Sequence, residues 1–272
     1  MLRVGVGLLG ARITADQIVA LGWTTAVVVM LGVATTLALA LLLGRRLGMT
    51  RAQSILSGGS VAICGASAAL AISAVLPRDK DSERFTLMVV VTVTVLSTVA
   101  MVLYPLVAQL LQLPSELAGV FIGGTIHDVA QVVGAGYTLN HHTGDVATVV
   151  KLFRVSLLVL VVVAVSAAFR KERSTAGQTP IVGSKKQQRL VPWFLWLFIA
   201  MVAMNSAGFL PTVAQEAMGT VSRVCLVVAI AALGVKTSFS ALAQAGWRPM
   251  LLIVAETIWL AVLVLVCLLA VQ

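Results

Sequence analysis

The residues best suited to chemistry lie in one segment of an otherwise apolar stretch, which reads Gly123-Gly124-Thr125-Ile126-His127-Asp128-Val129-Ala130-Gln131. On a helix, His127, Asp128 and Gln131 could share a broad polar face, because residues three and four apart are neighbours. A carboxylate at the centre of a membrane helix costs roughly 2.5 to 3.5 kcal/mol, so Asp128 needs a partner or water. Either His127 and Asp128 carry a coupling proton or ion, or Asp128 forms a structural ion pair.

Two basic residues, Lys151 and Arg154, follow inside the next apolar run. They are three apart and face similar directions on a helix, which is repulsive unless a negative group lies between or opposite them. Asp128 and a substrate anion are the two candidates for that group. We therefore predict that Lys151 and Arg154 bind substrate, together with Gln131.

A second segment, residues 57–67, is dense in small residues and hydroxyls, which are poor helix formers. A helix break is tolerated at membrane depth only where the freed backbone groups line a cavity or find protein partners. Free backbone amides at such a break can hold an anion, whereas the alternative is tight helix packing through small residues. The substrate-binding residues predicted from the two glycine-rich segments are Ser57, Gly58, Gly59, Ser60, Cys64, Gly65, Ser67, Gly123, Gly124 and Thr125.

Other motifs give weaker signals. Glu256 and Arg223 lie inside apolar runs, where a structural ion pair is the default interpretation. His141 and His142 have no third ligand at a sensible spacing, so we expect a solvated loop and no metal.

The GxGxxG of Gly5, Gly7 and Gly10 follows no strand and favours helix packing over dinucleotide binding. An enzyme that uses Cys64 or His127 is not expected, because the sequence has no HExxH pair and no second catalytic acid beside Asp128, and no cofactor is expected either.

The elements that carry these residues are predicted to be membrane-spanning helices. Hydrophobic residues make up 60% of the 272 residues, charged residues only 11%, and the mean hydropathy is +1.04. Apolar runs of about 20 residues suffice to cross a bilayer. We predict an all-α polytopic bundle forming one transmembrane domain over residues 1–272, with Leu2 to Ala11 as the tail of a ninth helix. The eight predicted crossings are Trp23–Leu43, Ser54–Leu76, Phe85–Leu111, Glu116–Gly136, Val146–Phe169, Val191–Leu210, Val221–Val235 and Trp247–Val271.

The net charge of +9 resides in short loops between apolar runs, so membrane topology explains it better than nucleic-acid binding. Alternate counting places Arg45, Arg46, Arg51 and the basic residues of the flexible linker 170–190 on one side, which is then cytoplasmic. Arg78, Lys80 and Arg84 fall on the opposite side.

A weak internal repeat in the sequence indicates an inverted-repeat fold, which is a common design of transporters that bind substrate near the midplane. In the first copy the matching positions are Leu9, Gly10, Arg12, Thr14, Gly22 and Trp23; in the second they are Leu233, Gly234, Lys236, Ser238, Gly246 and Trp247.

Over essentially its whole length the chain resembles the YeiH-type bacterial membrane proteins, conserved hypothetical proteins to which sulfate export is ascribed. The strongest marks are residues 62–68 (AICGASA), residues 126–133 (IHDVAQVV) with Gly136, and residues 145–152 (DVATVVKL) with Arg154. Further matches are Pro192-Trp193-Phe194, Asn205-Ser206 before Leu210-Pro211, and Ala232-Leu233-Gly234 before Lys236-Thr237-Ser238.

The resemblance implies a multi-pass protein of the bacterial inner membrane with inverted repeats and interrupted core helices, similar to bile-acid-symporter and cation-antiporter folds. Members usually carry two or three more hydrophobic segments ahead of the stretch corresponding to Arg3–Gly10, so we expect that the family's amino-terminal helices are missing here.

The function expected from these features is secondary active transport of sulfate or a similar small anion, coupled to protons or sodium. A homo-oligomer is one expected form of the protein. Transport of organic anions such as sulfonates or carboxylates is one alternative. A cation or proton antiporter is the other, and it would need core acids, for which only Asp128 and Glu256 are well placed.

Overall fold

The computed structural model describes residues 22–77, 82–169, 193–236 and 247–271, together with residues 4, 8 and 11. The elements in these ranges are helical. In chain order they are α1 (Gly22–Arg46), α2 (Arg51–Ala62), α3 (Ala66–Ser73), α4 (Ser82–Leu110), α5 (Ser115–Thr125), α6 (Val129–Leu139), α7 (His141–Ala168), α8 (Trp193–Ser206), α9 (Thr212–Lys236) and α10 (Trp247–Val271).

The helices α1, α4, α7 and α10 are long and apolar enough to cross a membrane. They match the predicted crossings that begin at Trp23, Phe85, Val146 and Trp247. With 24 to 29 residues in each apolar stretch, they reach about 36 Å or more, against a bilayer core of about 30 Å. The polytopic membrane bundle predicted from composition is therefore confirmed.

The segment between α1 and α4 forms a helical hairpin, which we call hairpin 1 (α2, a tip at residues 63–65, and α3). A capping box of Thr50 and Gln53 starts α2. Beyond the tip the chain turns back, since a Cβ placed on Gly59 in α2 would lie 2.3 Å from Cδ1 of Ile72 in α3. Thr50 and Gln53 accordingly line one shallow cavity with Pro77. Hairpin 1 therefore enters and leaves on the same side.

A second hairpin, hairpin 2, consists of α5, a tip at residues 126–128, and α6. Asn140 Nδ2, at the end of α6, donates to Ser115 Oγ at the start of α5 over 3.0 Å. Thr143 Oγ1 also donates to the backbone oxygen of Ser115, so both ends of this hairpin lie beside the start of α7. With 11 residues each, α5 and α6 extend only about 16 Å, roughly half of the bilayer core.

The predicted crossings Ser54–Leu76 and Glu116–Gly136 are therefore wrong, although the predicted interruption within residues 57–67 is confirmed. Both segments have the apolar length of a span, but each reverses at its tip instead of continuing. The hairpins enter from opposite sides, because hairpin 1 starts where α1 ends and hairpin 2 starts where α4 ends. The unit α1 with hairpin 1 and the unit α4 with hairpin 2 thus run in opposite directions.

This reversal corrects the charge topology. Arg84 begins α4 beside the base of hairpin 1, so it lies on the same side as Arg45, Arg46 and Arg51, not opposite them. Arg51 also stacks over the ring of Phe169 at 5.4 Å, which places the end of α7 on this side. Basic residues thus gather at one end of the bundle formed by α1, α2, α4 and α7, and the positive-inside rule makes that end cytoplasmic.

The helix α10 packs along α1 in the opposite direction, with Leu252 near Gly44 and Leu260 near Gly32. It also contacts both hairpins.

The helices α8 and α9 overlap the two remaining predicted crossings. Outside the described residues lie the linker 170–190, Arg78, Lys80, the side chain of Arg223 and half of the positions of the predicted internal repeat.

Candidate functional site

The tips of the two hairpins meet at the centre of the bundle. A Cβ placed on Gly65 would lie 3.3 Å from the Cβ of His127, so the tips are in van der Waals contact. Gly65 has φ of +62°, a conformation that glycine adopts without the penalty of a side chain. The carboxyl ends of α2 and α5 and the amino ends of α3 and α6 therefore converge on one buried region.

Lys151 joins the two tips directly. Its Nζ donates to the backbone oxygen of Ile63 in hairpin 1 at 2.7 Å and to that of Ile126 in hairpin 2 at 2.9 Å. The side chain is 0% exposed. Because unpaired carbonyls at a helix carboxyl end carry partial negative charge, this ammonium stabilises both breaks.

Arg154, one turn further along α7, serves the same two helix ends. Its Nε donates to the Ala62 oxygen at 2.6 Å and its Nη1 to the Gly124 oxygen at 2.9 Å. Further bonds run from Nη1 to the Ile126 oxygen and from Nη2 to the Val61 oxygen. Lys151 and Arg154, which were predicted to bind a substrate anion, thus donate to backbone carbonyls in this conformation.

Asp128 caps the amino end of α6. Its Oδ1 accepts from the backbone amides of Ala130 at 2.8 Å and Gln131 at 3.4 Å, an N-cap arrangement. Its own amide donates to Ser97 Oγ on α4 at 3.0 Å. The partner that the buried Asp128 carboxylate was expected to need is thus the partly positive amino end of α6. By contrast, Gly65 at the start of α3 makes no side-chain cap bond.

His127 is buried at the tip of hairpin 2 and contacts α10. Its Nε2 lies 3.1 Å from Thr257 Oγ1, and this hydroxyl donates to the Ile253 backbone oxygen at 2.8 Å. The Thr257 hydroxyl thus links the His127 ring to the backbone of α10. The other ring nitrogen, Nδ1, has no hydrogen-bond partner in the described part of the chain.

The residue next to Thr257, Glu256, contacts hairpin 1. Ser57 Oγ donates to its Oε2 at 2.7 Å, and Oε1 has no partner among the described residues. The structural ion pair expected for Glu256 is not the contact found, since its partner is a hydroxyl. The helix α10 thus contacts hairpin 1 through Glu256 and hairpin 2 through Thr257.

Several predicted glycines serve close packing. A Cβ on Gly58 would lie 2.4 Å from Ala40 Cβ in α1, and one on Gly123 would lie 2.4 Å from the Ala147 oxygen in α7. Gly59 contacts α3, as described above, which closes hairpin 1. Gly124 has room for a Cβ, and its carbonyl oxygen accepts from Arg154.

The remaining predicted residues are spread over both hairpins. Ser60 and Thr125 donate to carbonyls of their own helices, those of Leu56 and Phe121. Ser67 Oγ lies 3.0 Å from Cys64 Sγ at the first tip. Gln131 Nε2 donates to Thr98 Oγ1 on α4 at 2.9 Å, and its Oε1 is without a described partner.

Sequence reasoning did not include Glu256, Thr257, Ser97 or Thr98 in the site. Glu256 gave a signal, as an acid within the last apolar run. Hydroxyls such as Ser97 are common in membrane helices, and the contacts of Ser97, Thr98 and Thr257 depend on tertiary packing.

The geometry defines an integral membrane protein with two opposed re-entrant hairpins and a buried polar centre. The chain belongs to the family described as Conserved hypothetical protein 698, which matches residues 1–253. The YeiH-type resemblance is confirmed by the relatives as well.

The UPF0324 membrane protein CT0845 of Chlorobaculum tepidum is 50% identical over 97% of this chain and 72% of its own length. The UPF0324 membrane protein TauZ of Paracoccus pantotrophus is 49% identical over 97% of this chain and 77% of its own. The UPF0324 inner membrane protein YeiH of Salmonella typhimurium is 34% identical over 96% and 73%. With the apolar helices, these relatives place the chain in the bacterial inner membrane as a multi-pass protein. No solved structure matches it.

Proposed function

We propose that this protein is a secondary active transporter of a small anion, with sulfate as the first candidate. The observation that supports this most is the meeting of two opposed hairpin tips at the bundle centre, where Lys151 and Arg154 reach both. Irregular backbone at membrane depth is tolerated where protein partners or a water-filled cavity satisfy it, and it is typical of transporter substrate sites.

The charges at the tips favour an anion over a cation. Lys151 and Arg154 bring two positive charges to the tips, whereas within the tip residues 63–65 and 126–128 the acid is Asp128; Glu256 contacts hairpin 1 below its tip, at Ser57. The amino end of α3, beside these cations, has no side-chain cap and offers backbone amides to a negative group. The anion would bind there, between the glycine-rich segments of the two hairpins.

Alternating access would follow from the opposed arrangement. Each hairpin reaches the centre from one side, so a movement of either relative to α10 would open the centre to that side. The opposite directions of the two helix–hairpin units fit the inverted-repeat design of transporters. The likeness to bile-acid-symporter and cation-antiporter folds stays a prediction, as do homo-oligomerisation and the proton or sodium coupling of His127 and Asp128.

A second candidate function, cation or proton antiport, is favoured by one observation. Both buried cations have backbone carbonyls as partners in this conformation, while Glu256 contacts a hydroxyl and no described cation. Organic anions such as sulfonates or carboxylates are further candidate substrates.

Reconstitution into liposomes tests the proposal. Labelled sulfate should accumulate saturably under an imposed proton or sodium gradient, with excess sulfonate and carboxylate as competitors to define specificity. Asp128→Asn should reduce gradient-driven uptake if Asp128 couples, while preserving the cap because asparagine caps equally well. Glu116→Gln, at the exposed start of α5, is the control. Correctly folded protein that moves none of these anions would contradict anion transport; pH-driven cation exchange by it would favour antiport.

A further inference from the structure

The carboxyl group of Glu256 is buried at the bundle centre and is hydrogen-bonded through one of its two oxygens among the described residues. It lies about 14 Å along α10 from Trp247, near the middle of the span. The side chain is 0% exposed, Oε2 accepts from Ser57, and Oε1 has no partner among the described residues. An ionised carboxylate with one hydrogen bond and no cation is far more costly in such surroundings than a neutral acid.

The helices packed against α10 bring no cation to this depth in the described ranges. α10 contacts α1, α2, α4 and α5. Their charged side chains lie at or near the helix ends, and Tyr104 of α4 packs on Phe121 instead. Lys151 and Arg154 donate to the tip carbonyls, and His127 faces Thr257. The end charges are Arg45, Arg46, Arg51, Glu83, Arg84 and Glu116, with Arg248 on α10 itself.

We propose that Glu256 carries the coupling proton on Oε1 and that the coupling ion of this transporter is therefore a proton. This inference rests on the transport function proposed above and adds Glu256 to the coupling candidates His127 and Asp128. Proton binding forms an O–H bond at Oε1 and removes the carboxylate charge. The same bond breaks, with the proton passing to water, once the centre opens to one side.

The contacts of α10 explain how this proton would be coupled to movement. Glu256 contacts hairpin 1 through Ser57, and Thr257 contacts hairpin 2 through His127. In its neutral form Glu256 can stay between apolar neighbours, whereas the ionised form requires water. Deprotonation would thus favour separation of α10 from hairpin 1, and rebinding of the proton would allow the dry contact to form again.

The first experiment uses proteoliposomes that contain the full chain and labelled sulfate. Wild-type protein should accumulate sulfate under a pH gradient without sodium. Glu256→Gln keeps the shape and the hydrogen bond from Ser57, so it should retain sulfate-for-sulfate exchange but lose at least tenfold in pH-driven accumulation. Glu116→Gln, a matched change at an exposed acid, should behave as wild type. Unchanged pH-driven accumulation in Glu256→Gln, or dependence of the wild type on sodium alone, would overturn the inference.

A second measurement does not depend on transport. Infrared difference spectroscopy of the membrane-reconstituted protein at neutral pH should show the carbonyl band of a protonated carboxylic acid. That band should be lost in Glu256→Gln and kept in Glu116→Gln. If sulfate does not move but the band behaves in this way, the transport proposal fails while the protonated Glu256 stands. If the band is absent from the wild type or survives in Glu256→Gln, the proton assignment is wrong.

Discussion

At the residue scale, the main feature of this protein is that two buried cations bind backbone. A buried carbonyl normally accepts from a backbone amide. The three-residue break at each tip leaves the last carbonyls of the preceding helix without such amide donors. Arg154 alone donates to four carbonyls from two hairpins. The side chain thus replaces the interrupted helical hydrogen bonds, and its delocalised charge opposes two helix dipoles together.

We predict that Arg154→Met destabilises the protein by about 3 kcal/mol or more, since hydrogen bonds to a charged group contribute roughly 1.5 to 3 kcal/mol each. Arg154→Lys should recover part of this loss, because lysine keeps the charge but not the fork of donors. Thermal unfolding in detergent measures both. Arg248→Met, at the exposed start of α10, is the control and should change the midpoint little. An Arg154→Met midpoint equal to that of the wild type would show that these bonds contribute nothing net.

At the element scale, small residues decide how closely hairpin 2 approaches α7. A Cβ on Gly123 would meet the Ala147 backbone oxygen at 2.4 Å, whereas one on the adjacent Gly124 would meet Val264 Cγ1 at 3.5 Å, an ordinary contact. These neighbours, both predicted from sequence as substrate-binding, therefore have different steric environments. Alanine substitutions at Gly123 and at Gly124 therefore form a matched pair of variants that differ in steric environment.

Gly123→Ala should lower stability by about 1 to 3 kcal/mol, the usual cost of overpacking, because α5 must move away from α7. Gly124→Ala should be neutral or slightly stabilising, since alanine is the better helix former by about 1 kcal/mol. Comparing the two unfolding midpoints in one detergent checks this. Equal midpoints would mean that α5 and α7 are not packed as described.

The hairpins also show how far sequence reasoning extends. The interruption within residues 57–67 followed from residue types alone, as did the choice of Gly123 to Gln131 as a candidate site, which stays a prediction. Whether the chain continues or reverses after the interruption did not, because both outcomes require the same apolar length. The reversal depends on tertiary contacts, such as Gly59 with Ile72 and Asn140 with Ser115, that no local pattern encodes.

The same limit applied to the site. Lys151 and Arg154 could be singled out as charges that need a negative partner. Their actual partners are carbonyl oxygens, which every residue possesses and no sequence pattern distinguishes. The contact between Ser57 and Glu256, 199 positions apart in the chain, likewise depends on how α10 packs.

At the scale of the whole molecule, two hairpins in place of two crossings change which loops share a compartment. Thr50 and Pro77, at the two ends of hairpin 1, lie on one side. Gln112 and His141, at the two ends of hairpin 2, lie together on the other. A pair of ordinary crossings would separate the members of each pair.

Single-cysteine labelling in intact cells tests this topology. In a background with Cys64, Cys225 and Cys267 replaced by serine or alanine, Gln112→Cys and His141→Cys should react with a membrane-impermeant maleimide from outside. Thr50→Cys and Pro77→Cys should react only after the inner membrane is permeabilised. Labelling of Thr50→Cys and Pro77→Cys from opposite sides would contradict hairpin 1.

The bond between Lys151 and Ile63 also has a consequence for biogenesis. The two residues are 88 positions apart, and Arg154 is 92 positions from Ala62. Hairpin 1 leaves the ribosome long before the side chains that neutralise its tip exist. Its exposed carbonyls therefore cannot be buried in lipid at their final depth until α7 has been synthesised, which makes assembly of the bundle centre a late step of insertion.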